Sequence, residues 1–89
     1  MPTVWIPSLM RDLTGGVTTV QVEGATVRQV IAALEARFPG IQDRLVEGDR
    51  LRRALTVSVD GEVTRYGLRA AVTEQSEVHF LPAVSGGAA

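Results

Sequence analysis

Apolar and polar residues alternate over several segments of the chain, which is typical of β-strands that bury one face. These segments are residues 3–7, 17–22, 55–59 and 78–81. In the first segment, Val4 and Ile6 share one side and Trp5 points to the other. The first two segments are close in sequence, and the Gly15-Gly16 pair between them is typical of a turn. We therefore predict four strands, with the first two joined as a hairpin.

Between the second and third strands, apolar residues recur at helical spacing and form a single stripe. The stripe consists of Val27, Val30, Ile31, Leu34 and Phe38. Thr26 and Gln29 have the form of a capping box, which marks the start of a helix. Pro39-Gly40 ends this helix, and Ile41 and Leu45 indicate a short second helical turn.

The order of elements is hairpin, helix, strand, irregular segment and strand. One helix can cover one face of a small sheet, and 89 residues allow little more. We predict an α+β fold of the β-grasp (ubiquitin-like) type, provided that the first and last strands are central and parallel. It would have a four- to five-stranded mixed sheet with one main helix packed on one face. Periodicity leaves the strand order open. Residues 1–84 are assigned to this domain and residues 85–89 to a flexible C-terminal tail.

Composition argues against several classes of function. The formal net charge of −1 provides no general attraction to nucleic acid or to an anionic membrane. The chain has no cysteine, and no apolar run reaches the ~20 residues of a membrane span. No segment resembles a secretion signal, so a cytoplasmic location is expected. His79, the only histidine, is expected on the solvent-facing side of the last strand. Neither a metal site nor an acid–base catalytic group is predicted.

The residues that follow the last strand carry the strongest functional signal. Gly86-Gly87 comes shortly after Pro82 and is followed by Ala88-Ala89. Two successive glycines have no Cβ atoms, so they form a thin peptide that can thread a narrow active site. The reactive group would then be the carboxylate of Gly87, which a peptide bond to Ala88 masks. Taken alone, such a pair is also common at a frayed chain end.

Three segments of the chain carry a family resemblance. They are the Ile-Pro to Thr-Gly-Gly opening at 6–16, the Leu-Glu-Ala-Arg-Phe-Pro-Gly run at 34–40, and the closing strand with its Gly-Gly pair at 80–87. Together they resemble the ThiS/MoaD family of ubiquitin-like sulfur carriers. The opening is most similar to the carrier used in the mycobacterial-type cysteine pathway. Most members of the family end at the second glycine, so Ala88-Ala89 is a departure from the pattern.

The resemblance implies a sulfur-carrying protein substrate rather than an enzyme. It implies that an E1-like enzyme uses ATP to adenylate the carboxylate of Gly87, which is then converted to a thiocarboxylate, and that the carrier itself binds no cofactor. Gly86 would thread the channel of that enzyme. A sulfur-accepting synthase would use the sulfur to make cysteine, methionine, a thiolated natural product or a cofactor. A JAMM-type metallopeptidase would first cut the junction between Gly87 and Ala88.

Trp5 and Leu81 are predicted to dock these partners. Both side chains point away from the helix on neighbouring strands, and an exposed Trp–Leu pair is typical of a protein interface. The alternative is that Trp5 covers the sheet edge or packs on residues 62–75. Two other functions share the fold and stay open: the small subunit of molybdopterin synthase and a ubiquitin-like protein modifier.

Overall fold

The protein folds as a mixed β-sheet with one main helix, and the computed structural model describes residues 1–83. The strands are β1 (Thr3–Trp5), β2 (Thr19–Gln21), β3 (Val46–Glu47), β4 (Arg50–Leu51), β5 (Leu55–Val59), β6 (Glu62–Thr64) and β7 (Glu77–Pro82). The helices are α1 (Val27–Arg37) and α2 (Ile41–Leu45), and short 3₁₀ turns occur at Ser8–Met10 and Gly67–Arg69.

The strands nearest the two ends of the described chain pair in the middle of the main sheet. Strands β1 and β7 are parallel, with Val4 opposite Val78 and Trp5 opposite His79. The strand order is β2-β1-β7-β5-β6, and the other neighbouring pairs are antiparallel. The predicted β-grasp arrangement, with the first and last strands central and parallel, is therefore confirmed. The sheet has five strands, the upper end of the predicted range.

Helix α1 covers one face of this sheet with the predicted apolar stripe. Its residues Val27, Val30, Ile31 and Leu34 are each at most 2% exposed. Phe38 is only half-buried, because the helix ends at Arg37 and Phe38 forms its C-cap. Burial of this stripe against the inward-pointing strand residues forms the core, since removing apolar area from water is the main driving force for folding. Among residues 1–83, no α-helix packs on the other face of the sheet.

The start of α1 is defined by a cap and by a close backbone approach. The Thr26 Oγ1 atom accepts a hydrogen bond from the Gln29 N–H at 3.2 Å, as predicted for a capping box. The Gln29 side chain reaches one residue further back and accepts from the Ala25 N–H at 2.7 Å. Gly24 has a φ of +157°, and a Cβ atom there would lie 2.8 Å from both Cγ2 and the backbone N of Val30. Glycine is therefore the residue that fits at position 24 without displacing the helix.

The end of α1 is joined to α2 through a single carboxylate. The Glu35 side chain accepts hydrogen bonds from the Gly40 N–H at 3.0 Å and from the Gln42 N–H at 2.8 Å. These two bonds, the one from Gln42 first, lower the pKa of the Glu35 carboxyl below its ordinary value. The predicted second helical turn is thus present and is tied to the first helix.

Three short strands were not predicted from the sequence. Strands β3 and β4 have two residues each and form a small separate hairpin, which is too short for alternation to show. Strand β6 is formed because Asp60 and Gly61 both have positive φ angles, of 55° and 87°, which suit a tight hairpin turn after β5.

None of the helices within residues 1–83 has the length and apolar character needed to span a bilayer.

Candidate partner-binding site

A row of side chains that are neither acidic nor arginine crosses the outer face of the sheet, opposite α1. The strand registers place the row members side by side on β2, β1, β7, β5 and β6. They are Thr19, Trp5, His79, Ser58 and Val63. Trp5 is 41% exposed and Val63 is 63% exposed, whereas the small Ser58 is buried between its neighbours. The row contains no carboxylate or guanidinium group, so a partner that covers it does not have to remove such a group from water.

Trp5 stacks on His79 in the centre of this row. The two ring centroids are 5.2 Å apart and the ring planes differ by 12°. The parallel pairing of β1 with β7 puts these residues directly opposite each other, which explains the contact. His79 was expected to be a solvated strand residue. It is on the predicted face, but the indole ring of Trp5 makes it half-buried.

Leu81 extends the same surface towards the end of β7. It lies two residues beyond His79 on the same face, it is half-buried, and its partner across the sheet is Thr56. Strand spacings of roughly 4.8 Å sideways and 3.3 Å per residue place the Cα atoms of Trp5 and Leu81 about 8 Å apart. The structure therefore brings together the two predicted docking residues. We call the surface formed by Trp5, His79 and Leu81 the docking face.

The chain leaves the sheet next to the docking face. Pro82 is the last residue of β7 and pairs with Leu55, and the Ala83 N–H donates to the Ala54 carbonyl at 2.8 Å. The predicted sites on Gly86, Gly87 and Ala88 lie outside the described residues, as does the predicted tail at 85–89.

The described part of the chain contains no cluster of side chains typical of a metal centre. Within residues 1–83, no group of three or more His, Asp or Glu side chains is placed to hold a metal ion. In the same residues, every buried side-chain nitrogen and oxygen atom has a hydrogen-bond partner.

Sequence reasoning missed the part that His79 plays in this site. Alternation predicted the side of the strand on which His79 lies. The stack with Trp5 also depends on which residue of β1 lies opposite His79, and this register is a property of the folded sheet. The one signal in the sequence was the presence of two aromatic rings on the strands predicted to be neighbours.

Comparison with known proteins agrees with this geometry. The family model described as the ThiS family matches residues 4–87. The chain belongs to the ThiS family. The match spans both docking-face strands and both glycines of the Gly86-Gly87 pair, so this ThiS-family chain carries the fold and the chain end together.

Named relatives show which kinds of proteins within and near this family the chain is similar to. The sulfur carrier protein CysO of Mycobacterium tuberculosis is 39% identical to this ThiS-family chain, and the alignment covers 96% of this chain and 97% of the relative. A chain in the crystal structure of the Amycolatopsis orientalis BexX/CysO complex is 42% identical, with a TM-score of 0.89, and the match covers 98% of this chain and 100% of that one. SAMP1 from Haloferax volcanii is 28% identical with a TM-score of 0.71, and the match covers 97% of this chain and 98% of that one. The strongest of these likenesses is to proteins of the CysO type.

Proposed function

We propose that this protein is a sulfur carrier of the CysO type, which carries sulfur as a thiocarboxylate on Gly87. The observation that carries the proposal is the extent of the family match, which begins in β1 and ends at residue 87, the second glycine of the pair. The CysO relatives support the same function, since they match over nearly the whole chain.

The chemistry we propose takes place on a partner enzyme. A carboxylate is a poor electrophile at neutral pH, so an E1-like enzyme activates it with ATP. One oxygen of the Gly87 carboxylate attacks the α-phosphate and pyrophosphate leaves, which gives an acyl-adenylate. Hydrosulfide then attacks the acyl carbon and displaces AMP, leaving the thiocarboxylate and a released proton. The role of this chain is to present Gly87 and to be recognised, and Gly86 lets the peptide enter a narrow channel because it has no Cβ atom.

We further propose that the chain must be cut before it can be activated. The carbonyl of Gly87 is in a peptide bond with Ala88, so it cannot be adenylated as a free carboxylate. A metallopeptidase of the JAMM type would cleave after Gly87. The thiocarboxylate then forms only on molecules that have been cut after Gly87.

The docking face is the surface that we propose the activating enzyme recognises. It exposes part of an indole ring, it includes Leu81, and it continues into the chain end through Pro82 and Ala83. Aromatic anchors are frequent at the centre of interfaces, where they bury a large area at a small entropic penalty. The Amycolatopsis relative occurs in a complex with BexX, which supports docking on a further protein, a sulfur-accepting synthase in our proposal.

The test is the mass of the protein after incubation with the activating enzyme, ATP and sulfide. We compare the full chain with a variant that ends at Gly87. The expected result is that sulfur replaces oxygen in the shortened protein only. A thiocarboxylate on the intact full chain would contradict the requirement for cleavage. The enzyme must also be shown to be active on its own carrier. If such an enzyme forms no thiocarboxylate on the shortened chain, the sulfur-carrier function is contradicted.

The likeness to SAMP1 favours a second candidate function. That protein is described as a small archaeal modifier, and it shares the fold and 28% identity with this chain. A modifier would form isopeptide bonds between Gly87 and lysines of other proteins. Tryptic digests in which target lysines carry the peptide of residues 70–87 would identify this activity, because Arg69 is the last tryptic site before Gly87. A sulfur carrier leaves no such remnant.

A further inference from the structure

Four arginines line an open groove on the side of the molecule that α1 covers. Arg28 belongs to the first turn of α1 and Arg50 belongs to β4. Arg65 follows β6, and Arg69 is the last residue of the 3₁₀ turn at Gly67–Arg69. The groove has a volume of about 610 Å³, and the side chain of Tyr66 at its wall is 68% exposed. We call this surface the arginine groove.

The arginine groove concentrates positive charge on a weakly acidic protein. Its four arginines are accompanied by one carboxylate, Asp49, which gives a formal charge of +3. The whole chain has nine arginines and ten carboxylates, so five arginines and nine carboxylates remain elsewhere, with a formal charge of −4. The surface is therefore strongly asymmetric, and the groove attracts anions although the net charge is −1.

The guanidinium groups of the groove are not engaged with the rest of the described chain. The ion pair within residues 1–83 is formed by Arg44 and Asp12. The guanidinium hydrogen bonds in the same residues are donated by Arg11, Arg37, Arg44 and Arg52. The four groove arginines thus retain their donors for a ligand, and each can bind a carboxylate through two parallel hydrogen bonds.

The position of Arg28 adds to this attraction. It lies in the first turn of α1, where the helix dipole is already positive, and that turn contains no acidic residue. An arginine at this end of a helix opposes the dipole, which is an unfavourable placement for stability. A bound anion would be attracted by the helix terminus and by the side chain together.

We propose that the arginine groove binds a short acidic segment of a partner protein. Three or four carboxylates would match its charge, and the exposed ring of Tyr66 offers an apolar contact beside them. A long nucleic acid is a poorer fit, because its phosphates would extend beyond the groove, and the rest of the chain carries a formal charge of −4. The docking face lies on the opposite side of the sheet from α1. A protein bound at one surface therefore leaves the other open, and this proposal does not depend on the sulfur chemistry.

The experiment measures binding of a fluorescein-labelled hexaglutamate peptide to the full chain by anisotropy. Salt screens such contacts, so the titration is made at about 20 mM and about 200 mM NaCl. The groove variant is Arg65→Gln with Arg69→Gln. The matched control is Arg37→Gln with Arg44→Gln, which removes the same two charges away from the groove. Hexalysine and an oligothymidylate of matched charge are the comparison ligands.

We expect the hexaglutamate peptide to bind the wild-type chain at low salt, and we expect its affinity to be lower at high salt. The groove variant should bind about tenfold more weakly or worse, because two bidentate donors are lost, whereas the control should stay within about twofold. Equal weakening in both variants would show attraction by overall charge alone and would overturn the proposal. Absence of binding at low salt would overturn it as well. Tighter binding of the oligothymidylate would assign the groove to nucleic acid instead.

Discussion

Replacement of Trp5 by alanine separates the proposed docking role of the outer sheet face from its role in the fold. Trp5 is 41% exposed, so a partner that covers the ring buries roughly 100 Å² of the ~250 Å² of a tryptophan side chain. At about 25 cal/mol per Å², this burial contributes at most about 2.5 kcal/mol to binding. We therefore expect Trp5→Ala to weaken binding to the activating enzyme by about 2 kcal/mol, or roughly 30-fold in Kd.

The same substitution should have a smaller effect on the fold. Trp5 lies on the solvent side of the sheet, and its aromatic contact is the stack on His79 at 5.2 Å. Loss of that stack and of its neighbouring contacts should lower the free energy of unfolding by about 1–2 kcal/mol. A domain of this size then remains largely folded at 25 °C, so the affinity can be measured on native protein.

The assay is isothermal calorimetry of each variant with the activating enzyme, together with chemical denaturation. Leu9→Ala is the matched control, because Leu9 is 85% exposed and lies outside the strands. It should leave the affinity unchanged. Trp5 is the only tryptophan, so quenching of its fluorescence on binding gives an independent measurement in the wild-type chain. An unchanged affinity in Trp5→Ala would refute the docking assignment, and a loss of unfolding free energy above about 3 kcal/mol would place Trp5 in the core.

Four further substitutions test the core, the turns and the chain end. Leu34→Ala should lower the free energy of unfolding by about 2–5 kcal/mol, since Leu34 is 0% exposed, while folded molecules are still activated; denaturation and a sulfur-transfer assay check both. Gly24→Ala should be destabilising by more than about 1 kcal/mol, because the new Cβ meets Val30 at 2.8 Å, and a melting temperature equal to that of the wild type would refute this. Glu35 has a lowered pKa, so it stabilises the fold above its ordinary pKa of 4.5, and this contribution is lost as the pH falls through the folded-state value. Denaturation across this pH range should therefore show Glu35→Gln less stable than wild type near neutral pH, with the gap closing in acid. Gly87→Ala should reduce sulfur transfer with no change in melting temperature. A transfer rate equal to that of the wild type would show that the channel of the activating enzyme accepts a side chain at this position.

The core and the two faces of the sheet were predictable because their residues follow simple periods. Alternation placed Val4 inside and Trp5 outside, and helical spacing placed Leu34 in the core. These patterns are local, so each can be read from a short window of sequence. Strand β6 escaped this reasoning because it has three residues, and its existence depends on the turn at Asp60 and Gly61.

The surfaces were predictable only in part, because they combine residues that are distant in sequence. Trp5 and Leu81 could be paired once the first and last strands were assumed to be neighbours. The stack on His79 required the register of those strands. The arginine groove gave no sequence signal at all, since Arg28, Arg50 and Arg69 are brought together by three different elements.

The parallel pairing of β1 with β7 has a consequence for how the molecule is made. Trp5 and His79 are partners in the sheet although residues 6–78 lie between them in the chain. Contacts between such distant segments form late, because a large loop must close before they can be made. Until β7 inserts between β1 and β5, both of those strands expose an edge that can pair with another chain. The strand that closes the sheet is also the one that leads to Gly86 and Gly87. In one step, a nascent chain therefore covers both aggregation-prone edges and fixes the position of Pro82 and Ala83, which precede the Gly-Gly pair in the chain. If the proposed function holds, a misfolded copy would present that pair to an activating enzyme from no fixed position.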